Sequence, residues 1–189
     1  MRVKLVSGTL VAAVLGIVTL SGVSTRGSRA QTPAANPDPA ALLGQKHPAR
    51  LAQLMRGVML PNSNLLFYAE DNDPAKVPPA KHPSAAINPL EGEYGQWDAV
   101  ENSSLAIAEA ASLLTVPGRF CSNGLPVPVD HADWPKLVDG LRVAANKSYL
   151  AAQSKNEDKL GDAADAVTNA CANCHTKYRD KEKLEDRCK

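Results

Sequence analysis

Two cysteines and a histidine near the end of the 189-residue chain stand closest to one another, as Cys171-Ala172-Asn173-Cys174-His175. A Cys-x-x-Cys-His run can hold a haem covalently: each thiol adds to one vinyl group, and the adjacent imidazole then falls over the ring centre to ligate iron. A redox dithiol, a zinc site and a structural disulfide are the rival chemistries. A thioredoxin-like dithiol needs a βαβ context, and the flanking pattern offers none. Zinc needs four ligands, yet His47, His82 and His131 are far away in sequence. Two cysteines one turn apart on one helix face are badly placed to bridge each other. One covalent haem c is therefore the expectation, with Cys171 and Cys174 attached to it and His175 as proximal iron ligand.

Helices must position these groups. Apolar residues recur at helical spacing in four stretches. The first runs from Ala49 to about Tyr68 through Leu51, Leu54, Met55, Val58 and Met59, with Pro61 expected to end or kink it. The second covers Trp97 to about Val116, with Val100, Ser104, Ile107, Ala111 and Leu114 on one face and Pro117-Gly118 as its stop. Asp133 reads as the N-cap of a third helix reaching about Ser154, with a stripe of Leu137, Val138, Leu141, Ala144, Ala145 and Tyr149. The fourth runs from about Glu157 to Glu185, and its stripe of Leu160, Ala164, Val167, Cys171, Cys174 and Tyr178 carries both thiols inward. No stretch alternates with period two. The fold expected is all-α, an antiparallel four-helix bundle with the haem on its C-terminal helix. Between the first two helices, residues 71–95 hold five prolines and read as a long loop, of the kind that often covers something.

The first thirty residues have another character. Arg2 and Lys4 precede an apolar run from Leu10 to Leu20, and small residues close with Ser28-Arg29-Ala30. Residues 1–30 read as a signal peptide, which implies export to the periplasm, where c-type attachment is made. An uncleaved leader would be the only membrane contact. Residues 31–45 read as a flexible lead-in, and 46–189 as the cytochrome domain. The leader takes four of the 21 basic residues and no acidic ones, so the remaining 17 basic against 20 acidic residues give −3. Such a mildly acidic chain without a basic stripe has no footprint for nucleic acid; its charged patches would steer redox partner proteins.

The late Cys171-Ala-Asn-Cys-His175 followed by Thr176-Lys177-Tyr178-Arg179, with Leu54-Met55-Arg56 on the first helix, resembles the cytochrome c-prime and cytochrome c-556 family. That resemblance implies a four-helix bundle, frequently dimeric, and covers about Ala49 to Arg179. The Pro-rich insert and the segment Arg119–Gly124 depart from its smaller members. It also frames one question about the iron. In c-556 proteins a first-helix methionine is the second axial ligand, suited to electron transfer. In c-prime proteins that position is apolar, and the five-coordinate iron takes up small gases such as NO and CO. Met55 stands at the matching position here, with Met59 one turn on as the alternative. The reading favoured is a His–Met one-electron carrier and not an enzyme; the alternative is a c-prime-like gas binder. Arg179 matches a family position for a basic residue near the haem. Trp97, Phe67 and Tyr68 are candidates to pack on the porphyrin, although core packing accounts for them equally well. His47, His82 and His131 read as surface histidines, with bis-His ligation as the minor option.

Cys121 and Cys188 remain. Helices two and four of an up-down-up-down bundle run the same way, so both cysteines would lie at one end of the molecule. Two leftover thiols so placed in an exported protein are expected to form a disulfide.

Overall fold

The computed structural model describes residues 47–188; the expected leader (1–30) and lead-in (31–45) lie outside them. Among the described residues there are four long helices and no strand, the sole bridge being an isolated pair between Phe120 and Pro126. The chain is all-α.

Helix α1 occupies residues 51–71 in three pieces: a first turn Leu51–Leu54, a π-helical turn Met55–Met59, and the α-helix Leu60–Asp71. Pro61 explains the middle piece. It has no N–H to offer the carbonyl four residues back, and its ring would strike that carbonyl in an unbroken α-helix. The π turn opens the ladder there, and the Leu60 N–H reaches five residues back to the Met55 carbonyl. Asn62 Nδ2 also donates to the Val58 carbonyl, at 2.7 Å. The helix therefore does not end at the proline, and the expected disturbance takes the form of the π turn just before it.

The segment after α1 is less of a free loop than its composition suggests. Prolines open three 3₁₀ turns, Pro74–Lys76, Pro83–Ala85 and Pro89–Glu91, and the side chains of Asp73 and Asn88 accept from Ala75 and Leu90 N–H groups. Pro74 and Leu90 are fully buried, and their two turns lie against the next helix.

Helix α2 is Gln96–Ala110, prolonged by the 3₁₀ turn Ala111–Thr115. Its expected stripe is buried throughout, from Val100 to Leu114. Helix α3 is Trp134–Gln153 and helix α4 is Glu157–Tyr178. The turn between them, residues 154–156, includes Lys155 at φ 50°, and the Asn156 side chain caps α4 by accepting from Lys159 N–H at 2.8 Å. Helix α3 packs along both α2 and α4, and α1 packs against α2 and α4.

Two boundary expectations need correction. Asp133 occupies the N-cap position of α3 but makes no capping hydrogen bond; its carboxylate is engaged by α4 instead. Helix α4 stops at Tyr178, seven residues short of the expected Glu185. Both Arg179 and Asp180 N–H groups converge on the His175 carbonyl at 2.8 Å, which closes the helix. The chain then folds back, and Cys188 N–H bonds the Tyr178 carbonyl at 2.9 Å.

Candidate functional site

Helix α4 changes character along its length. Leu160, Ala163, Ala164 and Val167 are buried in its first half, and then no residue is buried until Tyr178. The intervening stretch, residues 168–177, carries Cys171, Cys174 and His175, all three half-buried. Half-burial arises because their face of the helix meets a cavity in place of packed side chains.

That cavity has a volume of about 640 Å³, within the range of roughly 300–1,000 Å³ usual for cofactor and ligand sites. Cys171, Cys174 and His175 line it from α4, and Met55, Arg56 and Met59 line it from the π turn of α1. Trp134, Val138 and Leu141 close it from α3, Leu114 from the end of α2, and Cys188 from the returning C-terminal segment. Met55 and Met59 stand four residues apart at the two ends of the π turn, and both reach the same wall. Met59 is buried and Met55 half-buried.

Burial tunes the titrating groups of the wall. It pushes the Cys171 thiol up, against the pull of Arg179. Cys174 is pushed up to about 11, first by burial and then by Cys171 and Asp133. Both thiols are therefore protonated at neutral pH. A dithiol built for exchange has the opposite property, a depressed thiol pKa, so this pair is poorly suited to redox relay work. Burial, assisted by Arg179, lowers the His175 imidazole, which leaves it neutral with a lone pair to give. Arg179 lines the cavity too, and its guanidinium grips the Asp180 carboxylate through Nε at 2.8 Å and Nη2 at 3.0 Å.

An apolar chamber of this size, with two thiols three residues apart on one helix, a neutral imidazole beside them and thioethers on another helix, suits a large apolar macrocycle holding iron. The donors are the nitrogen and sulfur types that such iron accepts. Among the described residues no group of three or more His, Cys, Asp or Glu side chains is gathered to hold a bare metal ion.

Of the residues singled out in the sequence, Cys171, Cys174, His175, Met55, Met59, Arg179 and Phe67 meet at this cavity. Trp97 does not: it is buried at the start of α2 and packs in the core away from the cavity, and Tyr68 is exposed. The tryptophan on the cavity is Trp134, whose indole N–H donates to the Leu114 carbonyl at 3.0 Å. Its place in the first turn of α3 gave it no periodic signal beyond any other core aromatic. None of residues 72–95 lines the cavity either, so the Pro-rich segment covers α2 and not the site.

Cys121 and Cys188 come to disulfide distance, with Cα atoms 5.0 Å apart. Asn123 reinforces the junction by donating to the carbonyls of Glu185 (3.0 Å) and Arg187 (2.7 Å). A second tie joins α3 to α4. Tyr178 Oη donates to Asp133 Oδ1 at 2.8 Å and lies 3.3 Å from His131 Nδ1, while Lys177 forms an ion pair with Asp133. The Trp134 ring meets Tyr178 edge-on, with centroids 4.9 Å apart.

No family model matches the chain, and no curated protein and no solved structure matched it either.

Proposed function

We propose that the chain is an exported mono-haem c-type cytochrome that carries single electrons between redox partner proteins and catalyses no reaction of its own. The observation that carries this reading is the meeting of Cys171, Cys174 and His175 with Met55 and Met59 around one apolar cavity. In this reading the four helices form an antiparallel bundle of the class II cytochrome kind, with the haem on its last helix, working in the periplasm and open to homodimer formation.

Haem c supplies an iron centre that alternates between ferric and ferrous. The chain supplies the rest. Cys171 and Cys174 would hold the macrocycle by thioethers, and the neutral His175 would give its nitrogen to the iron. Met55 would offer its sulfur from α1, with Met59 as the alternative donor on the same π turn. Leu141, Val138 and Trp134 keep the chamber apolar, which together with His–Met ligation favours the reduced, less charged state and so a higher potential.

The test is spectroscopic. Co-expression with a cytochrome c maturation system should give a pyridine haemochrome of the two-thioether type, and replacing Cys171 and Cys174 by Ser should abolish it. The reduced holoprotein should be low-spin and slow to bind carbon monoxide, and Met55→Ala should make it high-spin and fast. A wild-type protein that is already high-spin and binds carbon monoxide at once would establish the c-prime-like, gas-binding alternative. A colourless protein would end the haem reading.

A further inference from the structure

The stretch of α4 that presents Cys171, Cys174 and His175 is buried only at its two ends, with Ala170, Cys171 and Cys174 packing partly against the core. Val167 anchors it on one side and Tyr178 on the other, and none of residues 168–177 between them is buried. At about 1.5 Å per residue that leaves roughly 15 Å of helix in which the packing is partial and one face meets the cavity. Such a span holds its side chains no more accurately than its anchors hold it.

The two anchors differ in kind. Val167 is an apolar contact inside a close-packed core. Tyr178 is a buried ring whose hydroxyl leaves the core and donates to Asp133 Oδ1 at 2.8 Å, at the first turn of α3. A phenol donating to a carboxylate is a charge-assisted bond, stronger and more directional than a neutral pair. The carboxylate is itself held from the other side by Lys177, the neighbour of Tyr178 on α4. The Tyr178 carbonyl receives Cys188 N–H, and the ring stands edge-on to Trp134, which is bonded to the end of α2. One residue thus ties the free end of the span to α2, to α3 and to the returning C-terminal segment.

We infer that Tyr178 and Asp133 form a clamp that positions the Cys174-His175 turn against the cavity, making Tyr178 a positioning residue for the cofactor ligand and not merely a core aromatic. The inference rests on the proposed haem site for its purpose, but the clamp itself is a property of the chain. His131, 3.3 Å from the phenol, is a second polar neighbour of the hydroxyl and does not replace the carboxylate, since it is exposed and free to turn to solvent.

The experiment uses the full chain, with and without haem, and the variants Tyr178→Phe and Asp133→Asn. Amide hydrogen exchange resolved by residue should quicken about tenfold over Ala172–Tyr178 in either variant, the scale set by losing one charge-assisted hydrogen bond. Exchange over Leu160–Val167 should stay as in the unaltered chain. Asp133→Asn leaves an amide oxygen that still accepts from the phenol but removes the charge and the Lys177 ion pair. The double variant should therefore quicken less than the two single effects combined, because both weaken the same bond. In the holoprotein each variant should speed carbon monoxide association several-fold and broaden the low-spin spectrum, while the haemochrome yield stays the same. Unchanged exchange and unchanged carbon monoxide kinetics in Tyr178→Phe would overturn the clamp and leave Tyr178 a packing residue. Quickening spread evenly over the whole of α4 would overturn it as well, by showing general destabilisation. Should Tyr178→Phe fold poorly, Asp133→Asn alone decides, since it leaves the ring in place. A missing haemochrome would sink the haem reading without touching the exchange result, so the two failures are distinguishable.

Discussion

The first half of α4 and its second half have the same helical geometry and opposite surroundings. Leu160, Ala164 and Val167 are fully enclosed, part of a core that takes in Leu66, Leu90, Val100 and Ile107. Beginning about one turn after Val167, Cys171, Cys174 and His175 face a chamber of about 640 Å³. The packed half draws its stability from side-chain contact, so its sequence needs only apolar residues of suitable volume. The cavity half has less of it, since Ala170, Cys171 and Cys174 are only partly buried against the core. It is held also by discrete ties at its rim: the Tyr178–Asp133 bond, the Trp134–Leu114 bond and the Cys121–Cys188 junction. A protein can leave room for a large group in this way without losing the fold, provided the walls are pinned by directional bonds where packing is partial.

The largest effect should come from the rim. Opening the Cys121–Cys188 link by Cys121→Ser with Cys188→Ser releases a 67-residue closure, which the chain-entropy account values at about 4 kcal/mol. Urea unfolding of the oxidised protein against the variant measures it. Truncation in the packed half comes next. Leu160→Ala removes a fully enclosed side chain and should cost about 3 kcal/mol. Leu137→Ala, which alters a half-buried residue on the cavity wall, should cost well under half of that in the haem-free chain. Equal costs at the two positions would break the comparison, since they would mean the cavity wall is packed as the core is.

Much of this division was legible in the sequence. The apolar stripes of α2 and the first half of α4, and that of α3 except for the half-buried Leu137 and Tyr149, are the buried faces observed, because a 3.6-residue period leaves little freedom once one face must be enclosed. The haem-type motif could be read from residue type and spacing, and Met55 and Met59 only through the family resemblance; all of them line one cavity. What could not be read is where directional bonds override local preference. Asp133 has the chemistry of an N-cap, yet a phenol and an ammonium group across the helix pair compete for it more strongly than its own N–H groups do. The mixed charges after Arg179 favour helix continuation, but the convergence on the His175 carbonyl and the Cys188 return end α4 early. Pro61 signals a break, and only the register of neighbouring turns decides that a π turn absorbs it. Trp97 and Trp134 are equally good aromatic candidates by type; which of them reaches the cavity depends on how the helices pack.

The Asp133 tie should also appear as a pH dependence with a definite sign. Its hydrogen bonds from Lys177 and Tyr178 hold the carboxyl below the ordinary aspartate value of 3.8. A depressed folded-state pKa contributes stability above the unfolded value and loses it as pH falls through the folded one. Asp133→Asn should therefore lower the urea midpoint at neutral pH, and the gap to the unaltered chain should close below about pH 3.8. A gap independent of pH would show that shape and not charge matters at this position. Tyr178, pushed up to about 12 by burial and by Asp133, stays protonated across the whole range and remains the donor.

The smallest effect belongs to the packed half and is the natural control for the clamp. Ser104 Oγ lies 2.7 Å from the Val100 carbonyl and 3.0 Å from Ser148 Oγ, with both serines fully buried between α2 and α3. A hydroxyl has one proton to give. Ser104 spends it on the carbonyl, so the Ser148 hydroxyl donates to Ser104. Ser148→Ala then removes one donor and leaves Ser104 still bonded, at a cost of about 1 kcal/mol. Surrounding side chains already fix α2 against α3, so amide exchange at Cys174 and His175 should not respond. A hydrogen bond inside a packed core is thus redundant for position, whereas one at the end of a partly packed stretch of helix is not. Exchange at the cavity wall that quickened in Ser148→Ala as much as in Asp133→Asn would erase that distinction.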